Sequence, residues 1–202
     1  KHGSTPYGQT VHDCIIQDIT SELKKTSNYL ERRKDIDKFN QDSDFLKRGI
    51  ALTPVKFGIS FNSSFLNQAG ALLHIYNDGS VYLNHGGTEM GQGLNTKIAQ
   101  VVANEFQLPL DKIKITATST GKVPNTSATA ASSGSDLNGM AAKNAAEKIK
   151  FRMAEYLAAE AQIKPDQVIF ENGKVSVGVN EYNFSDAVMR CYMGRISLSA
   201  TG

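Results

Sequence analysis

Two stretches of small and polar residues, each running straight into an alanine-rich pattern of helical period, constrain this 202-residue chain more than any other feature. The first starts at Asn84, NHGGTEMGQGLNTKIAQVVANEF; the second starts at Pro124, PNTSATAASSGSDLNGMAAKNAA. A helix opens with backbone N–H groups that lack intrahelical partners, and its first turn carries partial positive charge. Glycine and alanine ahead of such a turn let a ligand approach the backbone, while serine and threonine add hydroxyl donors. Two helix starts facing each other suit a bulky anion such as a phosphorylated cofactor. The same residues also satisfy a purely structural reading, in which the glycines serve turns and close packing and Ser135 or Asp136 caps a helix. Spacing alone leaves both readings open. The first stretch is neither a Walker A loop, since no GK[ST] follows, nor a good GxGxxG fingerprint.

The rest of the chain alternates strand and helix signals. Val11, Ile15, Ile19 and Leu23 recur at steps of four, which predicts an amphipathic helix over residues 9–28, and a second covers 30–40. GIALTPVKFGISF, residues 49–61, is β-branched and aromatic, a strand signal with Pro54 at an edge or break. ALLHIYNDGSVYLN and QVIFENGKVSVG each flank an Asx-Gly turn and predict hairpins. Leu94, Ile98, Val101, Val102 and Phe106 build one helix face, and DKIKITATST reads as a strand. A long helix follows over residues 135–161, then a short one over DAVMRCY with Ser185 as its N-cap, and finally a strand in RISLSATG. Strand, small-residue loop and helix thus occur twice in succession. The expected class is α+β or mixed α/β, with mixed-sheet hairpins and packed helices, divided into residues 1–61 and 62–202.

Apolar residues at 40% and charged residues at 21% suit a soluble globular protein. A net charge of +2 without a dense basic stripe argues against a nucleic-acid partner. The Glu31-Arg32-Arg33-Lys34 run reads as the solvated face of a helix. Cys14 and Cys191 are far apart with no CxxC spacing, so buried free thiols, a reducing compartment and a cytoplasmic location are expected. No apolar run approaches the ~18 residues of a membrane span, so no membrane partner is expected. His2, His12, His74 and His85 show no HxH or HExxH spacing, and His74 reads as a strand residue with a satisfied hydrogen bond. The first residue is Lys1 rather than Met, as in a chain that has been processed or is a piece of a longer one.

KFGISF, LNQAGALLHIYNDGSVYLNHGGTEMGQGLNTKIAQVVA and VPNTSATAASSGSDLNGMAA, in that order, resemble the molybdenum-binding part of xanthine dehydrogenases, in the xanthine oxidase/aldehyde oxidoreductase family. GQTVHD, RRKDIDKFN and SLSATG extend the resemblance over nearly the whole chain. It implies that Met90, Gly91 and Gln92 lie against a molybdopterin cofactor. It also implies that Thr129, Ala130, Ala131 and Ser132 surround the pterin, its phosphate and the metal's neighbourhood. Gly134 stands where some members of that family carry a further serine.

The chemistry so implied is hydroxylation of an electron-poor carbon of a purine, hypoxanthine or xanthine to urate, with water as oxygen source. Electrons would leave through iron–sulfur clusters and FAD, on other domains or subunits, to an acceptor such as NAD. The family's general base is a glutamate in a Gly-Glu-Pro-Pro neighbourhood that this chain lacks, as it lacks an Arg-Gly-Phe-Gly segment. No catalytic residue and no protein ligand to a metal is therefore expected here. Glu89 reads as a helix-start acid rather than a substitute base. The chain is expected to be an internal part of the molybdenum subunit, inactive alone. Two alternatives are a component of a molybdopterin-dependent aldehyde oxidoreductase and a non-catalytic module that binds a phosphate-bearing ligand.

Overall fold

The chain divides after Gly58 in the computed structural model, which describes residues 3–123 and 126–202, with units of residues 1–58 and 59–202. His2, Pro124 and Asn125 lie outside the described residues. In the N-terminal unit, β1 (Gly3–Ser4) and β2 (Thr10–Val11) form an antiparallel ribbon, followed by α1 (Ile16–Thr26) and α2 (Tyr29–Asp42). The helix expected from residue 9 starts only at Ile16. Thr10 and Val11 are paired in the ribbon, and Asp13 takes a left-handed φ of 49° that helix geometry does not allow. The apolar face of α1 is real but uncovered: Ile15, Ile19 and Leu23 are exposed, and no described residue of this unit is buried. The charged run lies exposed on α2, with Lys34 Nζ 2.9 Å from Glu31.

The strand expected over residues 49–61 does not form. An extended segment becomes a strand only where a partner accepts its backbone groups. No strand pairs with it among the described residues, although Ser60 N–H donates to the Ala131 carbonyl at 2.9 Å, and Val55 and Phe57 stay 72% and 70% exposed.

The larger unit is built on β3 (Ala71–Ile75), β4 (Val81–His85), α3 (Leu94–Phe106), β5 (Ile113–Ile115) and α4 (Gly134–Ala161). A meander of β6 (Val168–Glu171), β7 (Lys174–Val177) and β8 (Asn180–Asn183) follows, then α5 (Phe184–Met193) and β9 (Ser199–Thr201). The main sheet has order β5-β4-β3-β9, with β4 and β5 parallel and the other pairs antiparallel. Both expected hairpins form. Asn172 and Gly173 make the second a two-residue turn with both φ positive, at 51° and 75°, the geometry that matches strand twist. The first is longer, with Gly79 alone at positive φ and Asp78 Oδ1 accepting the Ser80 N–H at 2.9 Å. α5 starts two residues earlier than expected, after Asn183 in extended conformation, so Ser185 lies inside the helix rather than capping it.

Alternation on β3 and β4 turns Ala71, Leu73, Ile75, Val81, Leu83 and His85 inward. α4 is the central pillar and touches α3, the main sheet, the meander and α5. Its buried Ala142, Ala145 and Ala146 permit that close approach, and Ile149, Met153 and Leu157 fill the wider part of the core. Cys191 is buried as expected, and burial pushes its thiol up to about 12; Cys14 is exposed instead, in the unit that lacks a core. His74 packs edge-on against Tyr76, with ring centroids 4.5 Å apart. No helix among the described residues is long and apolar enough to cross a membrane.

Candidate cofactor-binding site

Parallel neighbours need a crossover connection, and α3 supplies it between β4 and β5. Because the two strands run the same way, the segment after each leaves the same edge of the sheet, as at ligand clefts of open α/β sheets. The first segment, residues 86–93, enters α3; the second, residues 116–133, enters α4. The two glycine- and serine-rich stretches read from sequence therefore meet in space.

Three contacts join them directly. Thr88 N–H donates to Thr129 Oγ1 at 2.8 Å, and Thr118 Oγ1 donates to the Gly87 carbonyl at 2.9 Å. Gly86 lies so close to Thr126 that a Cβ there would stand 2.2 Å from its side chain. Between the segments is a cavity of about 400 Å³ lined by Met90, Gln92, Thr129, Ala130, Ala131 and Ser132, with Leu94, Lys97, Gly134 and Ser135. All the side-chain-bearing residues singled out by resemblance thus share one cavity. Gly91 is not part of the lining; it lies between Met90 and Gln92 with φ +96° and open space where a Cβ would point.

The walls differ in kind. On the first, most backbone donors are already engaged. Glu89 Oε1 accepts from Gly91 and Gly93 at 2.9 and 3.0 Å, and Oε2 accepts from Asn95 at 2.9 Å. The Asn95 N–H foremost, with those of Gly93 and Gly91, holds the Glu89 carboxyl below the usual carboxylate range. A carboxylate so stabilised is a poor proton acceptor, which suits a helix-start acid. Gln92 accepts from Met90 N at 2.5 Å and donates to the Thr88 carbonyl at 2.8 Å, leaving one amide N–H. Beneath them His85 is buried, Nδ1 accepting from Gly87 N–H at 3.1 Å and Nε2 facing Asn95 Oδ1 at 3.0 Å. These partners require the neutral ring with its proton on Nε2, and burial, the largest influence, lowers the imidazole's pKa.

On the second wall the donors are open. Ala131 and Ser132 both adopt left-handed φ values of 52°, between Ala130 O and Ser133 N–H at 3.4 Å. Such geometry in residues with a Cβ costs on the order of 1–3 kcal/mol each and gathers at ligand clamps. Ser133 Oγ donates to Ala130 O at 3.1 Å and gives α4 no capping bond. The N–H groups of Ala131, Ser132, Gly134 and Ser135 accordingly have no partner among the described residues. No carboxylate lines the cavity, and its one charged lining side chain among the described residues is Lys97. Lys97 escaped the sequence reading because it looks like any exposed helix lysine. So did His85 and Asn95, whose roles depend on contacts the pattern does not show. Among the described residues no cluster of three His, Cys, Asp or Glu could hold a metal ion.

Open amides at an uncapped helix start, a cation and no acid fit a phosphorylated cofactor, and the left-handed pair supplies the concavity. Fold and site together define a mixed α/β domain with an anion-suited cleft between paired loop–helix units. The chain belongs to the molybdopterin cofactor-binding domain family, whose model matches residues 22–202. It is 53% identical over 154 residues to xanthine dehydrogenase of Blastobotrys adeninivorans, covering 76% of this chain and 11% of that protein. With xanthine dehydrogenase of Oryza sativa subsp. japonica it shares 46% identity over 196 residues, 97% of this chain and 13% of the relative. Among solved structures, quinoline 2-oxidoreductase from Pseudomonas putida 86 superposes with a TM-score of 0.77 at 19% identity, over 99% of this chain and 28% of that one. CO dehydrogenase from Oligotropha carboxidovorans gives 0.61 at 24% identity over 67% and 18%. These structural likenesses concern the fold. The sequence resemblance to the xanthine dehydrogenases stands, and so does the mixed α/β class.

Proposed function

We propose that the cleft holds molybdopterin, with Met90, Gly91, Gln92, Thr129, Ala130, Ala131 and Ser132 as its contacts, in a protein that hydroxylates purines. The observation that carries this reading is the open row of amides at Ala131, Ser132, Gly134 and Ser135, facing the Met90–Gln92 wall across one cavity. When bound, molybdopterin supplies a molybdenum centre and a ring system able to relay electrons. The chain's own part is to hold and orient it. The second wall donates to phosphate and ring oxygens, the remaining Gln92 amide N–H reaches in from the first wall, and Met90 covers an apolar face.

Glu89 is spent on the loop, so the general base comes from elsewhere in the longer polypeptide, and this chain alone does not oxidise xanthine. Identity to the xanthine dehydrogenases supports a purine substrate. The chain spans 13% of the rice relative's length, which leaves room for iron–sulfur and FAD partners and for the remainder of a cytoplasmic molybdenum subunit.

The test is molybdenum and released pterin per mole of the complete polypeptide carrying Gln92→Ala or Ser132→Ala. Each loss leaves a cofactor group unpaired at about 1–3 kcal/mol, so both contents fall several-fold or more. Wild-type content in both variants overturns the assignment.

A further inference from the structure

We propose that Lys97 is the charge partner of the cofactor's phosphate, an inference that rests on the reading above that the cleft holds a phosphorylated pterin. Lys97 lies in the first turns of α3, its N–H bonded to Gly93 O at 3.1 Å. It lines the cleft and also the adjoining groove of about 600 Å³ between α3 and α4. The two cavities share Lys97 and Ser135, so the lysine lines their junction together with a residue that carries one of the open amides of α4.

Three features set this lysine apart from a solvated helix residue. Its ammonium has no hydrogen bond or ion pair among the described residues, whereas Lys143 in the same groove lies 3.7 Å from Glu105 and is bonded to Glu147. Asp136 lines the groove but not the cleft and does not pair with it. On the first wall Glu89 has taken the amide donors at the start of α3, so among the described residues Lys97 is the lining side chain that brings positive charge to the cleft from that side. A phosphate seated on the α4 amides needs a counter-charge across the cleft, and a charge-assisted hydrogen bond is about twice as strong as a neutral one. A lysine, as a compact point charge on a flexible stem, reaches such an oxygen without demanding a fixed fork.

The experiment compares wild type, Lys97→Met and Lys97→Arg in the complete polypeptide. Molybdenum, pterin and the salt dependence of pterin release are measured alongside the melting temperature of cofactor-free protein. The proposal expects Lys97→Met to lose about tenfold or more in cofactor retention and much of the salt dependence. Lys97→Arg should recover most of both, with the cofactor-free melting temperature unchanged in either variant. Wild-type retention and salt dependence in Lys97→Met overturn the proposal and leave the cofactor reading standing. A cofactor-free melting temperature lowered in step with retention also overturns it, in favour of a structural role. Should Lys97→Met not fold, Lys97→Gln answers the same question. A wild-type polypeptide without pterin or molybdenum overturns the cofactor reading itself, and this proposal with it.

Discussion

Thr88 and Thr129, forty-one positions apart, are joined by a 2.8 Å hydrogen bond from the backbone N–H of the first to the side-chain oxygen of the second. This bond fixes the spacing of the two walls before any ligand arrives. Its acceptor is a side chain, so it can be removed without touching the backbone. Thr129→Val keeps the shape and deletes the oxygen. It should cost about 1 kcal/mol, the usual net worth of such a bond, with lower molybdenum content in the complete polypeptide. Thr129→Ser should restore both, as read by chemical denaturation and metal analysis.

Gly86 and Thr126 test the same closure sterically. An alanine methyl at 86 would overlap the Thr126 side chain, including its Cβ at 2.5 Å. Gly86→Ala should destabilise by about 1–3 kcal/mol, as overpacking does. The double variant Gly86→Ala/Thr126→Ala should recover a measurable part of that loss in a double-mutant cycle. Additive effects would mean that the two loops do not press together here.

Glu89 makes the site sensitive to acid in a definite direction. Its folded pKa is depressed, so its contribution is present above the unfolded value of about 4.3 and is lost as pH falls through the folded one. Glu89→Gln should be less stable than wild type at pH 7, and the gap should close in strong acid. A gap independent of pH would show that the charge itself is not what the amides of Gly91, Gly93 and Asn95 bind.

His85 acts over a different range. Its ring is held neutral, so the unfolded chain takes up a proton below about pH 6.5 while the folded chain does not. Stability from this group is full above that pH and declines as pH falls through it. Nitrogen-edited NMR should show the Nε2–H tautomer persisting below the ordinary histidine range. A ring that protonates at its ordinary pKa would contradict the Gly87 N–H to Nδ1 bond.

The core beneath the site has its own test. Ala145 and Ala146 on α4 are fully buried. Ala145→Leu should cost about 1–3 kcal/mol through overpacking, lowering the melting temperature by several degrees. Substituting exposed Phe151 on the same helix should change it little.

Local chemistry was enough for the elements themselves. Period and turn residues place α3, α4 and both hairpins, because Asn172-Gly173 or a run of alanines acts within a few residues of itself. They also place strand, loop and helix twice in a row, and resemblance selects Met90, Gln92 and residues 129–132. The misses share one cause. Residues 49–61 carry a strand's composition but no partner strand among the described residues, and Thr10–Val11 carry a helix's spacing but pair in a ribbon, since pairing is a property of two segments rather than one. Only the tertiary structure decided that β4 and β5 lie parallel and adjacent, and that register turns two similar loops into opposite walls of one cleft. It also decided their division of labour. Glu89 and Gln92 close the donors of the first loop within a few residues, while the left-handed pair Ala131–Ser132 leaves those of the second open. A side chain's partner depends on backbone conformation and long-range contact, and neither is written in residue order.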